Sequence, residues 1–221
     1  MILAVLDTST RFAGVGVVDE AGKRATRAWR SNQNHGAELM PALADSLDEL
    51  DLSPTDLTHI AVALGPGGFS AVRVGISTTL GLAVGNQLPV LGIPTHIIEV
   101  HPHRKAISSD RPVYSLLPAG RNEISWQRHD GRPDSETGVA SPEELADHLG
   151  PEALICGEAS ELMVELLVSS RILDTGPPTR PPDSMIDIAS AKFRAGVEMS
   201  NEQIRPIYAR APSISRPKSA K

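Results

Sequence analysis

The chain opens on apolar runs that break at polar turns. "ILAVLD" is apolar up to Asp7 and reads as a strand buried on both faces. "FAGVGVVDEAGKRATRAWR" then alternates about the turn "DEAGK", with Gly22 supplying the turn, and predicts two further strands. From His35 to Leu50 the period lengthens. Leu39, Leu43, Leu47 and Leu50 recur at spacings of three and four, with Glu38, Asp45, Asp48 and Glu49 between them, which predicts an amphipathic helix. "HIAVAL" predicts a strand, residues 70–86 a second helix with Ser70 as its N-cap, and "LPVLGI" another strand. Residues 1–95 therefore read β-β-β-α-β-α-β, an α/β lobe.

The pattern is weaker beyond. "RPVYSLLPAG" and "NEISWQRHDG" predict a pair of strands. "SPEELADHL" predicts a short helix with a capping box, Ser141 at the N-cap, Pro142 at the first helical position and Glu144 at the third. "ALICG" predicts a strand, "SELMVELLVSSRIL" a helix, "TGPPTRPP" a rigid proline-rich bridge and "MIDIASAKFRAGVEM" a last helix. The expected organisation is an N-terminal lobe over 1–95, a smaller lobe over 96–210 and a flexible basic tail over 211–221.

Composition narrows the class. Among 221 residues, 40% are hydrophobic and only 3% aromatic, so the core must be built from Val, Leu, Ile and Ala. The net charge of -6 argues against this chain alone gripping a nucleic-acid backbone, which normally takes a basic patch. One cysteine, Cys156, allows no disulfide within the chain; this fits a reducing compartment, and its apolar flank predicts a buried, inert thiol. The apolar start lacks a basic flank and reads as a strand rather than a signal peptide, and no run approaches the ~18 apolar residues of a membrane span.

Candidate chemistry gathers at three places. In "LDTST", Asp7 either holds a metal beside phosphate-facing hydroxyls or, with Thr8, ties a tight hairpin through side-chain to backbone hydrogen bonds. In "GPGGFS", glycines open backbone N–H groups to an anion at a helix N-terminus, yet the lysine of a P-loop is missing, and a plain strand-to-helix turn explains the stretch equally well. In "NQNHGAELMP", His35 lacks a ligand one turn on, because position 39 is Leu; Glu38 alone is a weak partner, and capping is the simpler role. His101 and His103 in "EVHPHRK" read as solvated, and no Ser-His-Asp set or nucleophile elbow is present.

Four stretches together resemble one family. "ILAVLDTST", "NQNHGAELMPAL", "LGPGGFSAVRVGISTTLGLA" and "RPIYARAP" are similar to the TsaB (YeaZ) family, strongly over residues 1–95, thinly over 96–200 and again at 206–212. The family loop runs close to G-P-G-S-F-T-G-V-R-I-G; Gly68, Ser70, Ala71 and Val74 stand at its varied positions here.

The resemblance implies an actin-like ASKHA fold, α/β, with two lobes that each carry a mixed sheet flanked by helices. It implies a non-catalytic cytoplasmic subunit that binds TsaD, is joined by TsaE, and supports transfer of the threonylcarbamoyl group from its adenylate to adenosine 37 of tRNA. On this reading the chain has no catalytic residue, metal or cofactor of its own. ATP and metal belong to TsaD and TsaE, the chain alone is a homodimer, tRNA is met only through the complex, and no membrane is involved. Asp7, Thr8, Ser9, Gly65, Gly67, Gly68 and Ser70 become a vestigial phosphate or anion loop, and Pro118 stands where actin-type enzymes place a second aspartate. The helices at 35–50 and 70–86 become the interface, through Leu39, Leu43, Leu47, Val72, Gly75, Ile76, Thr79, Leu80 and Ala83. The alternatives are an active ASKHA-type ATPase or phosphotransferase, opposed by the missing acid and lysine, and a metallopeptidase, opposed by the single His35.

Overall fold

Leu3–Asp7 (β1), Phe12–Val18 (β2) and Arg24–Arg30 (β3) form an antiparallel meander, as their alternation requires. The computed structural model describes residues 1–120, 122–132, 135–168, 171–174 and 176–210, so the expected tail at 211–221 lies outside the described residues. After helix α1 (His35–Asp48), strand β4 (His59–Ala63) adds parallel to β1; helix α2 (Phe69–Asn86) then leads to β5 (Val90–Ile93), parallel to β4. The sheet order is β3-β2-β1-β4-β5.

Strand periodicity splits this sheet's core into two layers. Ala4, Leu6, Ile60 and Val62 face α1 and α2, meeting Leu39, Leu43, Leu47, Val72 and Ile76. Leu3, Val5, Ala61 and Ala63 face the other way, onto Met185, Ile186 and Ala189 of the last helix, α5 (Pro182–Arg194). Burial on both faces explains why β1 is a continuous apolar run rather than an alternating one.

A second sheet follows, β8-β7-β6-β9, built from β6 (Val113–Pro118), β7 (Ile124–His129), β8 (Thr137–Ala140) and β9 (Leu154–Cys156). Strand β9 is parallel to β6 and the other pairs are antiparallel. Its core joins Leu116, Ile124, Trp126 and Ile155 to Leu145 of helix α4 (Pro142–His148). The capping box is present: the Glu144 N–H donates to Ser141 Oγ at 3.2 Å, and the Ser141 N–H donates to Glu144 Oε2 at 2.9 Å. No helix among the described residues is long and apolar enough to cross a membrane.

Four sequence expectations are corrected. The stretch at 160–173 is not one helix among its described residues: a 3-10 turn at Glu158–Met163 gives way to irregular chain over 164–168. Its apolar residues form no single stripe, since Leu162, Val164, Leu166 and Val168 point outward while Met163 packs into the second core. Helix α5 lies in the C-terminal part of the chain yet covers the first sheet, so a division at residue 95 does not separate the lobes. A short helix, α3 (Thr95–Val100), connects the sheets and went unread because six residues show no period. Finally, α2 starts at Phe69 with Gly68 as N-cap, leaving Ser70 in the first turn.

One contact ties β1 to α2. Thr8 Oγ1 donates to the Ala71 carbonyl at 2.7 Å and accepts from the Gly75 N–H at 3.1 Å, so the hydroxyl sits inside the helix ladder. A Cβ on Gly75 would lie 2.6 Å from that oxygen, whereas one on Gly81 of the same helix meets nothing within 4 Å. Gly75→Ala should therefore destabilise the chain by about 1–3 kcal/mol. Gly81→Ala should stabilise it by about 0.5–1 kcal/mol through helix propensity. Denaturant midpoints of the two variants check this; equal shifts would contradict the inserted hydroxyl.

Candidate functional site

The C-terminal ends of β1, β4 and β6 meet at a cleft of about 720 Å³ between the lobes, lined among others by Thr10, Arg11, Arg30, His35, Ser70, Pro118 and Glu158. Asp7 ends β1, and the turn after it is tied locally. Asp7 Oδ1 accepts from the Ser9 N–H at 2.8 Å and the Ser9 hydroxyl at 2.6 Å. The glycine loop packs against this turn. The Gly68 N–H donates to the Ser9 carbonyl at 2.7 Å, and a Cβ on Gly67 would fall 1.9 Å from that same oxygen. Gly65 takes a φ of +94° and lies under the Ile207 carbonyl. Glycine is needed here for backbone to meet backbone, and the Gly68 donor already has an internal acceptor.

Arg180 is the residue that sequence reasoning missed, placed inside a stretch taken for a rigid bridge. Its Nε donates to Asp7 Oδ2 at 2.9 Å and its Nη1 to Glu99 Oε2 at 2.5 Å. Nη2 lies 2.6 Å from Glu158 Oε1 and donates to Thr10 Oγ1 at 2.7 Å and to the Phe12 carbonyl at 3.2 Å. Thr10 Oγ1 donates in turn to Glu158 Oε1 at 2.5 Å, and Thr179 Oγ1 donates to Glu99 Oε1. All these side chains are buried. Burial works against the Arg180 charge, but Glu99, Asp7 and Glu158 outweigh it and hold the guanidinium pKa well above its ordinary value. Complete burial raises the Glu99 carboxyl, with Arg180 and Thr179 pulling it back. Three acids in apolar surroundings, Asp7 in "AVLDTS", Glu99 in "IIEVH" and Glu158 in "ICGEAS", were the available signal of a buried polar cluster.

This arrangement fixes what the site can hold. Both oxygens of Asp7 are engaged, one by Ser9 and one by Arg180, and Glu99 is likewise saturated. The three carboxylates enclose a guanidinium, and no group of three or more His, Cys, Asp or Glu among the described residues is arranged for a metal ion. Pro118 ends β6 as Asp7 ends β1, each strand having an antiparallel and a parallel neighbour, and it brings no acid to the cleft. His35 Nε2 donates to the Thr10 carbonyl at 2.8 Å, which ties the start of α1 to the β1–β2 turn. Glu38 turns away to accept from Trp29 Nε1 at 3.0 Å, so the two residues do not form a ligand pair.

The residues expected at an interface are committed to the fold. Leu39, Leu43, Leu47, Val72, Ile76 and Ala83 lie in the core beneath the sheet, Gly75 and Thr79 are buried, and Leu80 is half-buried. An apolar helix pattern marks the covered face and cannot tell a sheet from a partner. The outward face of α2 is Arg73, Ser77, Gly81 and Val84, one row at spacings of four and three.

The connector histidines His101 and His103 are half-buried rather than solvated. His103 Nε2 meets Asp174 Oδ1 at 2.8 Å, while His101 in the same turn is half-buried and lowered chiefly by burial. His96 on α3 bonds Ser115 Oγ at 2.8 Å and Ser125 Oγ at 3.1 Å, and Ser115 Oγ bonds His129 Nε2 at 2.8 Å. Burial lowers His96 to about 3 and His129 to about 4, so both rings are neutral in the folded protein.

Comparison with known proteins gives a consistent picture. The family model described as "TsaD: tRNA N6-adenosine threonylcarbamoyltransferase" matches residues 30–152. The "tRNA threonylcarbamoyladenosine biosynthesis protein TsaB" of Escherichia coli K12 is 25% identical over 225 residues, 95% of each chain. The protein of the same name from Bacillus subtilis 168 is 31% identical over 93 residues, 42% of this chain and 41% of its own. The solved structure of YeaZ from Pseudomonas aeruginosa superposes with a TM-score of 0.74 at 24% identity, covering 94% of this chain and 99% of its own.

The neutral histidines set an acid limit. A His with a depressed folded pKa contributes stability that is fully present above its unfolded value near 6.5 and is lost as pH falls toward the folded value, which for His129 is about 4. Between pH 7 and pH 5 its protonation should remove about 2 kcal/mol. His129→Gln should therefore lose less melting temperature over that interval than the parent chain. Parallel melting curves against pH would show that His129 is not held neutral.

Proposed function

The chain belongs to the TsaB (YeaZ) family, and on that footing we propose that it is the non-catalytic subunit that binds and supports TsaD in threonylcarbamoyl transfer to adenosine 37 of tRNA. Its fold is the actin-like ASKHA fold, with two mixed sheets flanked by helices, and its place is in tRNA threonylcarbamoyladenosine biosynthesis. The observation that carries the non-catalytic reading is the Arg180 cluster. The acid at the end of β1 is neutralised from within by a guanidinium, and the end of β6 offers Pro118 in place of an acid. An active ATPase or phosphotransferase would need those two positions free to meet a metal-nucleotide.

On this reading the partner meets the outward face of α2, where Val84 is 66% exposed beside the small residues Gly81 and Gly85, with Met40 of α1 also exposed. Small residues let a partner helix approach closely, and Val84 and Met40 give it apolar area to bury. The same surface serves a homodimer when TsaD is absent, burying roughly 1,600 Å² in total as interfaces of ordinary size do. TsaE joins the pair, ATP and metal belong to TsaD and TsaE, tRNA is met through the assembled complex, and the assembly works in the cytoplasm.

Val84→Asp and Gly81→Arg place a charge on the outward face without touching the core. Each should lose co-purification with TsaD of the same organism, and each should lose homodimerisation, while remaining folded, with Gly81→Arg melting no lower than the parent because it replaces an exposed helical glycine. A charge at Ile76 or Ala83, by contrast, tests the fold, because both are buried within the lobe. Normal TsaD binding by both outward variants would place the interface elsewhere.

A further inference from the structure

The two sheets have separate apolar cores. Those of the first hold β1, β4, α1, α2 and α5, and those of the second hold β6, β7, α4 and β9; only the short connector α3 reaches both, through Ile98 on the first side and Val100 on the second. Lobes joined without a large shared apolar surface move relative to each other by default. Beside that connector, the tie across the cleft among the described residues is ionic. Arg180 enters between the lobes with a side chain 2% exposed and bonds both at once. On the first lobe it holds Asp7, Thr10 and the Phe12 carbonyl, all in or beside the β1–β2 turn. Toward the second it holds Glu158, in the turn after β9, and Glu99, on the α3 connector that His96 fastens to β6 and β7.

We infer that Arg180 is an internal clamp that holds the two lobes closed in a single arrangement. Opening the cleft would break the charge-assisted hydrogen bonds that Glu158 makes with Arg180 and Thr10, which are about twice as strong as neutral ones. The planar fork matters as much as the charge. Nε, Nη1 and Nη2 each address a different carboxylate, a geometry the single ammonium of a lysine cannot reproduce. Near the rim, Arg210 Nη2 adds an exposed pair to Glu123 Oε1 at 2.7 Å, joining the C-terminal strap to the start of β7. Surface pairs of this kind add little, so the buried cluster carries the closure. The clamp is a property of the isolated chain and does not depend on TsaD binding.

Spin labels test it directly. Thr55→Cys in the first lobe and Asp147→Cys on α4 are exposed positions, and the native Cys156 is buried. Electron–electron distance measurement on the doubly labelled full chain, diluted with unlabelled protein, should give one narrow distribution. Arg180→Met in that background should broaden it and move it to longer distance. A folded Arg180→Met with the parent distribution would overturn the clamp. Should Arg180→Met fail to fold, Glu158→Ala decides. That variant removes the acceptor that Arg180 Nη2 and Thr10 Oγ1 share and leaves the Asp7 and Glu99 pairs, so broadening supports the clamp and an unchanged distribution refutes it.

Discussion

The buried pairing of one guanidinium with three carboxylates organises this molecule. Arg180 reaches Asp7 across 173 residues of sequence and Glu99 across 81. A buried charge is tolerated only when it is paired, so each of the four fixes the others, and with them the β1–β2 turn, the α3 connector and the turn after β9. The cluster also sits where a two-lobed fold of this kind presents its cleft. The strand-end acid that could have faced a ligand faces an arginine of its own chain instead.

The glycine loop follows the same logic. Its pattern suggests an anion cradle, and its geometry is that of a joint. Gly67 allows the loop to lie against the Ser9 carbonyl, Gly68 donates to it, and Gly75 makes room for the Thr8 hydroxyl within α2. The small residues hold β1, the loop and α2 in contact, and leave the opposite face of α2 bare. In this geometry the loop positions a helix.

Much of the first lobe was legible because its strands and helices bury whole faces, and burial writes a period into the sequence. The capping box of α4 was legible because it is local, three residues long and chemically specific. The second lobe was harder. Helix α3 and the turn at Glu158–Met163 are too short to show a period, and α5 returns to the first sheet from far along the chain. Arg180 was invisible because its partners are distant and its neighbours are prolines. The interface residues were misplaced for a different reason: Leu39 and Val72 look alike to a pattern whether a sheet or another protein covers them.

Reconstituted transfer of the threonylcarbamoyl group to tRNA, with TsaD and TsaE supplied from the same organism and threonylcarbamoyl-adenylate as donor, tests the central assignment most directly. The account predicts no product from this chain alone, product when it is combined with TsaD and TsaE, and loss of product when it alone is left out. Transfer by the isolated chain, or transfer by TsaD and TsaE that is indifferent to its presence, would contradict it.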